Sequence, residues 1–431
     1  MIDTKDKIIE YFLSGTKDTK NFKIGIEHEK FLFNKNNNKR VDYSKIKEMF
    51  LALQEFGWKP VFEKKNIIGL NKGGKNITLE PGNQIELSGD KLNHMHEACA
   101  ESQDYLFELE QVTKKLDIKI VSSGFDPFSK LEEIPNNPKE RYKLMTKSMP
   151  LGGELSLDMM YRTCGTQLNV DYKSEDDFKK KFLVTNSIVP ITIALFANSS
   201  IVEKKNSNYL SYRSKVWQST SRGGLPKLFF EDLNFEKYAE FVMDFPILFI
   251  QHKNKYLSGS KYKFSDFMNG KIDEIENRLP TDNDLTTHLS TIFTENRLKK
   301  YIELRSMDTC GWDCLCSGPA FFIGMLYGNL EEVHELIKKW DKNKIINAYL
   351  ESPKKGFNTE LMGKDLHYWA STLLDLSRKG LNDRDILSKK GKNETLFLNH
   401  LKKVVFNKST NADYMIDKFS NNENLEELYD H

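Results

Sequence analysis

No apolar run in this sequence is long enough to cross a bilayer. The longest, around Ile188 to Ala197, falls short of the roughly 20 residues a span needs and contains Pro190 and Thr192. Neither sign of charge is in excess: 64 Lys and Arg against 62 Asp and Glu leave a formal charge of +2. That removes the basic field by which nucleic acid or an anionic membrane would be attracted, and neither is expected as a partner. Cysteine is scarce and odd in number, five in 431 residues, so no disulfide framework is expected and the thiols are read as reduced. The start, MIDTKDKIIEYF, lacks the basic-then-apolar layout of a signal peptide. A cytoplasmic address is therefore expected.

Several signatures of particular chemistries are absent as well. There is no internal repeat of fixed period. Asn71-Lys72-Gly73-Gly74-Lys75 does not fit G-x-x-x-x-G-K-[ST] and reads as a hairpin turn. No second Cys/His pair at zinc spacing follows Cys310, Cys314 and Cys316, and His94 and His96, two apart on a helix, face different ways. Nothing around any Cys or Ser supplies the base and orienter of a nucleophilic site.

What is present describes a globular protein: 39% hydrophobic and 29% charged residues, with 28 Phe and 17 Tyr to build a core. Residues 1–330 alternate strand-like and helix-like pieces and are expected to form the catalytic domain. Residues 331–431 read as an α-rich part packed on it. Apolar positions from Leu92 to Leu116 follow three-and-four spacing, predicting an amphipathic helix. A second helix is expected over Asp176 to Ala197, with Pro190 marking a kink or junction.

The strands carry the chemistry. In Phe22 to Phe33, Glu27 and Glu29 share one face while Ile24, Ile26 and His28 take the other, the core-facing one. After a break at Pro81-Gly82, Gln84, Glu86 and Ser88 lie opposite Ile85 and Leu87; Gln167 and Asn169 lie opposite Leu168; Tyr301, Glu303 and Arg305 lie opposite Ile302 and Leu304. Set in one sheet, these polar faces converge. Their carboxylates then repel unless a cation lies among them, and an all-oxygen donor set suits Mg²⁺ or Mn²⁺ rather than zinc. Such ions keep coordination sites for water and phosphate oxygens, so a nucleotide is the expected substrate. Arg213 and Arg222 are each read either as a solvated charge or as a bidentate clamp for carboxylate or phosphate.

The runs IGIEHEKFLF from Ile24, ITLEPGNQIELSG from Ile77, LDMMYRTCGTQLNVD from Leu157, ALFANSS from Ala194, NYLSYRSKVW from Asn208 and RLKKYIELRSMD from Arg297 occur in this order. Together they resemble the glutamate–cysteine ligases of the plant and proteobacterial type, over about residues 20–330. The resemblance implies an α+β, glutamine-synthetase-like architecture: a curved, mainly antiparallel sheet forming an active-site funnel, with helices on its outer face. It implies an ATP-dependent reaction that phosphorylates the γ-carboxylate of glutamate and lets the amino group of cysteine displace phosphate, the first step of glutathione biosynthesis. Carried over by motif, Glu27, Glu29, Glu86 and Glu303, with Gln167 as a further donor, are the implied metal ligands. Arg305 and Arg213 are the implied catalytic residues. Asn169, Arg213, Arg222 and Tyr301 are the implied substrate contacts, with Glu80 a less certain member of the site. The stretch Cys310-Gly311-Trp312-Asp313-Cys314 departs from the family pattern, holding an acid and two thiols where basic residues are usual. No transit-like extension precedes the motifs, again favouring a cytosolic, bacterial-type enzyme, expected as monomer or homodimer. Three rivals are weighed against this reading: another carboxylate–amine ligase of the same superfamily, a metal-dependent phosphohydrolase, and a non-catalytic metal- or nucleotide-binding module.

Overall fold

The computed structural model describes residues 1–253, 255–421 and 424–429. Its largest sheet is built from β1 (Ile24–Asn34), β2 (Lys59–Glu63), β3 (Asn66–Lys72), β4 (Lys75–Leu79), β5 (Ile85–Ser88), β6 (Ile118–Val121), β7 (Gly165–Val170), β8 (Asn296–Leu298) and β9 (Ile302–Asp308). The spatial order is β8-β9-β7-β1-β5-β4-β3-β2, with β6 pairing the far end of β1. Every pairing within it is antiparallel. With helices packed against it, this is the mainly antiparallel α+β fold expected from the sequence.

Local chemistry explains the elements. β3 and β4 meet at Gly73, whose φ of +65° is open to glycine and strained for most other residues. The Pro81-Gly82-Asn83 break is a tight turn, closed by Asn83 N donating to the Glu80 carbonyl at 3.0 Å. It is pinned by Arg40, which pairs with Asp126 at 3.0 Å and donates to the Gly82 carbonyl. Met95–Lys115 is one helix, capped by His94, whose Nδ1 accepts the Glu97 amide at 3.2 Å. It buries Met95, Ala98, Cys99, Tyr105, Leu109 and Val112. The segment holding Pro190 is two helices, Glu175–Ser187 and Val189–Leu195, because proline is tolerated only in a first turn.

The alternation read in β1 is real: Ile24, Ile26 and His28 are buried on one face. His28 packs 5.4 Å from the Tyr105 ring with neither ring nitrogen hydrogen-bonded, and burial holds it neutral, well below the usual histidine range. One apolar cluster runs from Ile2 to Val405, so residues from both ends of the chain share it. Helix Leu366–Arg384 meets the segment Gly324–Gly328 backbone to backbone. A Cβ on Gly380 would lie 1.9 Å from the Gly324 carbonyl oxygen, and one on Gly328 2.2 Å from that of Gly380.

The reading of the thiols as reduced is corrected. Cys99 is joined to Cys316, and Cys310 to Cys314; Cys164 alone is free, and buried. The fold brings together residues 217 apart in sequence, at a Cα separation of 5.9 Å, which no spacing rule anticipates. Among the described residues no helix is long and apolar enough to cross a membrane.

Candidate active site

In an antiparallel pair, residues directly opposite each other project to the same side of the sheet. The register therefore sorts the polar face into rows. Glu303 lies opposite Asn169, and Asn169 opposite Gly25. In the next row Gln167 faces Glu27, Glu27 faces Ser88 and Ser88 faces Asn76. In the third, Glu29 faces Glu86, Glu86 faces Thr78, Thr78 faces Gly69 and Gly69 faces Val61. Successive rows are two residues apart along each strand, so all three occupy one face. The structure thus brings Glu27, Glu29, Glu86, Gln167, Asn169 and Glu303 onto a single surface.

The first row ends in a cluster of charges. Glu303 is buried, with Lys299 Nζ 2.7 Å from Oε1, Arg297 Nε bonded to Oε2 and Arg305 Nη1 at 3.8 Å. Burial pushes its carboxyl up. Arg297, Lys299 and Arg305 together overcome that and hold it well below the usual carboxylate range. Arg305 Nη1 also donates to Gln167 Oε1.

The other acids have no such relief. Glu27 accepts from Asn169 Nδ2 at 2.6 Å, Glu29 from the Gly165 amide at 2.5 Å, and Glu86 from Ser88 Oγ at 2.7 Å. Burial, then the charges of Glu86 and Glu303, push Glu27 up to about 7. Burial, Glu86 and Glu80 push Glu29 up to about 8, and burial with Glu80 pushes Glu86 up to about 7. Among the described residues no three His, Cys, Asp or Glu side chains gather closely enough to form a ready-made metal cage. The donor set nonetheless fits a hard divalent cation, because its all-oxygen, mutually repelling carboxylates are what such an ion relieves. Magnesium in particular takes one or two carboxylates and completes its shell with phosphate oxygens and water.

Two arginines face this region from different elements. Asp308, at the end of β9, accepts from Ser199 Oγ at 2.7 Å and Ser211 Oγ at 2.9 Å. Ser211 in turn caps helix Tyr212–Gln218 by accepting the Ser214 amide. This fixes Arg213, whose Nη2 donates to the Arg305 carbonyl at 2.8 Å. Gly165 makes room for it: a Cβ there would lie 2.7 Å from Arg213 Nη2. Arg213 Nε and Nη1 and Arg305 Nε are buried donors without a partner. Tyr301 lies beside Lys299, whose Nζ is 5.9 Å from its ring.

Arg222 does not join the group. Its Nε and Nη2 donate to the Thr291 carbonyl and Oγ1, and Nη1 to the Pro246 carbonyl, each at 3.0 Å, while its guanidinium lies over Phe245. Three of its five N–H donors are thus engaged inside the fold, which makes the fork a structural clamp between Thr291 and Pro246.

The third row leads away from the acids into a cavity of about 230 Å³. Val61, Gly69 and Thr78 line it, together with Lys139, Arg141 and Tyr256. Burial and Arg141 push Lys139 down to about 8. Lys139, Arg141, Arg297 and Lys299 were not anticipated. Arg297 was legible, since it lies on the strand paired with the Glu303 strand, directly opposite Glu303, and Lys299 follows just past that strand's end. Lys139 and Arg141, at a helix start between unrelated motifs, carry no local signal.

The family model for glutamate-cysteine ligase family 2 matches residues 23–431. A relative named as the chloroplastic glutamate–cysteine ligase of Nicotiana tabacum is 38% identical over 422 residues, covering 96% of this chain and 80% of its own. The Arabidopsis thaliana protein of the same name is 37% identical over 423 residues, covering 97% and 80%. Among solved structures, a glutamate–cysteine ligase from Francisella tularensis in complex with AMP superposes with a TM-score of 0.53 at 14% identity, covering 96% of this chain and 87% of that one. The expected cytoplasmic address is contradicted: relatives 37–38% identical to this sequence are named as chloroplastic.

Proposed function

This chain belongs to glutamate-cysteine ligase family 2, and on that premise we propose how its polar sheet face joins the γ-carboxylate of glutamate to the amino group of cysteine at the expense of ATP. The γ-phosphoryl group passes to a γ-carboxylate oxygen and ADP is released. The amine nitrogen then attacks the acyl carbon, phosphate leaves with that oxygen, and the ammonium proton is lost. Activation is required because a free carboxylate has no acceptable leaving group.

The observation that carries this reading is the juxtaposition of Glu27, Glu29 and Glu86, three repelling carboxylates, with the partnerless donors of Arg213 and Arg305. One half of the site wants cations and the other wants an anion, which is what a metal–triphosphate and a carboxylate acceptor supply together. Mg²⁺ or Mn²⁺ ions shared among Glu27, Glu29 and Glu86, with one or two carboxylates to each, would supply charge neutralisation to the phosphates when bound. Arg305 and Arg213 present fixed donors to the transferring phosphoryl group and the glutamate carboxylate, in a setting that needs no reorganisation during the reaction. Gln167 holds the Arg305 fork, and Asn169 orients Glu27 and borders the glutamate site with Tyr301. Glu303, bound by Arg297 and Lys299, acts here as the counter-charge that keeps three cations in one wall. The cavity lined by Lys139, Arg141 and Tyr256 continues the row of Glu29 and Glu86, on the side where a nucleotide extends from its phosphates.

The test is phosphate and ADP release from ATP and Mg²⁺, with glutamate alone and then with cysteine, other amines, or none. Glutamate-dependent turnover stimulated most by cysteine, with γ-glutamylcysteine as product, is the expected result. Preference for another amine keeps the mechanism and removes the acceptor; phosphate release without glutamate makes the chain a phosphohydrolase.

A further inference from the structure

Arg213 and Arg305 come from a helix and a strand, carry the same charge, and yet lie over one aromatic ring. The Arg213 guanidinium carbon is 4.6 Å and that of Arg305 5.2 Å from the centroid of Trp217. Trp217 is 4% exposed. Arg213 and Trp217 are four residues apart on helix Tyr212–Gln218, the spacing that stacks one side chain over the other. Arg305 reaches the same ring from β9.

Each guanidinium has one carboxylate near it, Glu303 at 3.8 Å from Arg305 and Asp308 at 4.0 Å from Arg213, and both separations are longer than a direct hydrogen bond. Pairings this long offset the burial of a cation only in part, and an attractive neutral surface shared by both cations adds to them. The face of an indole is the strongest such surface a neutral side chain offers, and it attracts cations without accepting their hydrogen bonds. It therefore leaves Arg213 Nε and Nη1 and Arg305 Nε without protein acceptors. A carboxylate in the same place would take those donors for itself.

We propose that Trp217 is a positioning residue for the phosphoryl-transfer step, holding the Arg213 and Arg305 guanidiniums side by side with their free donors turned to one anionic group. The proposal rests on the ligase reading for the identity of that anion and on the ring geometry for the rest. It separates positioning from charge: the ring is neutral and its Nε1 makes no hydrogen bond.

The experiment compares Trp217→Phe and Trp217→Leu with wild type, measuring kcat and KM for ATP, glutamate and cysteine beside thermal stability. Trp217→Leu is expected to lower kcat by about 10- to 100-fold with KM for cysteine unchanged. Trp217→Phe, which keeps a weaker π face, is expected to recover most of that loss. A leucine variant with wild-type kcat, or a phenylalanine variant no better than leucine at equal stability, overturns the proposal. Should Trp217→Leu fail to fold, Trp217→Met, which fills irregular space without a ring, takes its place. Binding of inorganic triphosphate is followed by calorimetry in the same series and should weaken with Leu or Met and hold with Phe. If wild type proves to have no glutamate-dependent turnover, the ligase reading fails while this binding series still decides the role of Trp217.

Discussion

Glu29 and Glu86 stand directly opposite each other on β1 and β5, and the repulsion between them is part of what pushes Glu29 up to about 8. A pair of like charges across a strand pair is destabilising. Keeping both on the same face as Glu27 makes the metal-free protein the strained form of this site.

Divalent cation removal should therefore abolish turnover, with Mg²⁺ or Mn²⁺ restoring it. Glu86→Gln removes one repelling charge without leaving a hole. It should fold with undiminished thermal stability and require far more Mg²⁺ for half-maximal rate, read from a metal titration of initial velocity. An unchanged metal requirement in both Glu86→Gln and Glu29→Gln would remove these acids from the metal site.

The same repulsion has a pH signature in metal-free protein. Glu27, Glu29 and Glu86 have folded values raised to about 7, 8 and 7, so the folded state binds more protons than the unfolded one between the ordinary carboxylate range and about pH 8. Stability from these groups is present at low pH and is lost as pH rises through that window. Buried Lys30 and Lys139, pushed down to about 8, have the opposite sign, gaining stability as pH rises above that value. The measurement is therefore the difference between wild type and Glu29→Gln: melting temperatures in chelator should diverge in favour of the variant as pH rises from the ordinary carboxylate range to about 8. Saturating Mg²⁺ should close the gap.

Glu303→Ala should behave unlike the other acid variants. It leaves Arg297, Lys299 and Arg305 without their shared counter-charge in a buried wall, a loss of about 3–5 kcal/mol. Chemical denaturation should report this drop even with Mg²⁺ present. Normal stability with lost turnover would return Glu303 to the metal-ligand role the motif implies.

Arg222→Met should cost stability, since it removes donors to Thr291 and Pro246 inside the core, by about 1–3 kcal/mol. Its KM for glutamate should stay at the wild-type value. A large rise in that KM without loss of stability would mean that the fork turns toward substrate.

Replacing all five cysteines by Ser or Ala should leave ligation intact. Cys99 sits on the helix behind the sheet, in the apolar cluster, and Cys164 is held protonated by burial, with the neighbouring Glu29 charge adding to the effect. The cost should be in stability, because the Cys99–Cys316 link joins residues 217 apart in sequence, worth about 5 kcal/mol in the chain-entropy view. A folded variant that binds ATP and glutamate yet makes no product would assign chemistry to a thiol.

Much of the site was legible because strand alternation and catalytic chemistry share the same two-residue period. Glu27 and Glu29 are readable as a pair on one face from Ile24 to Phe33 alone. What the period cannot give is which strands are neighbours. That Glu29 faces Glu86 while Glu303 faces Asn169 depends on long connections and on the irregularity between Leu304 and Met307. Arg222 failed differently: beside glycines it reads as a free charge, and only the fold shows three of its donors engaged with Thr291 and Pro246. Lys139 and Arg141 were invisible because a cation at the start of a helix gains meaning only from what that helix is folded against.

The meeting of Gly324, Gly328 and Gly380 bears on how this protein can be handled. Helix Leu366–Arg384 touches the preceding segment main chain to main chain, at distances that leave no room for even a methyl group. A chain cut short before that helix would uncover bare peptide groups and the apolar surface beside them. Trimming toward a minimal enzyme therefore has to start from somewhere other than the carboxyl-terminal third, and a protease that nicks there should inactivate rather than prune.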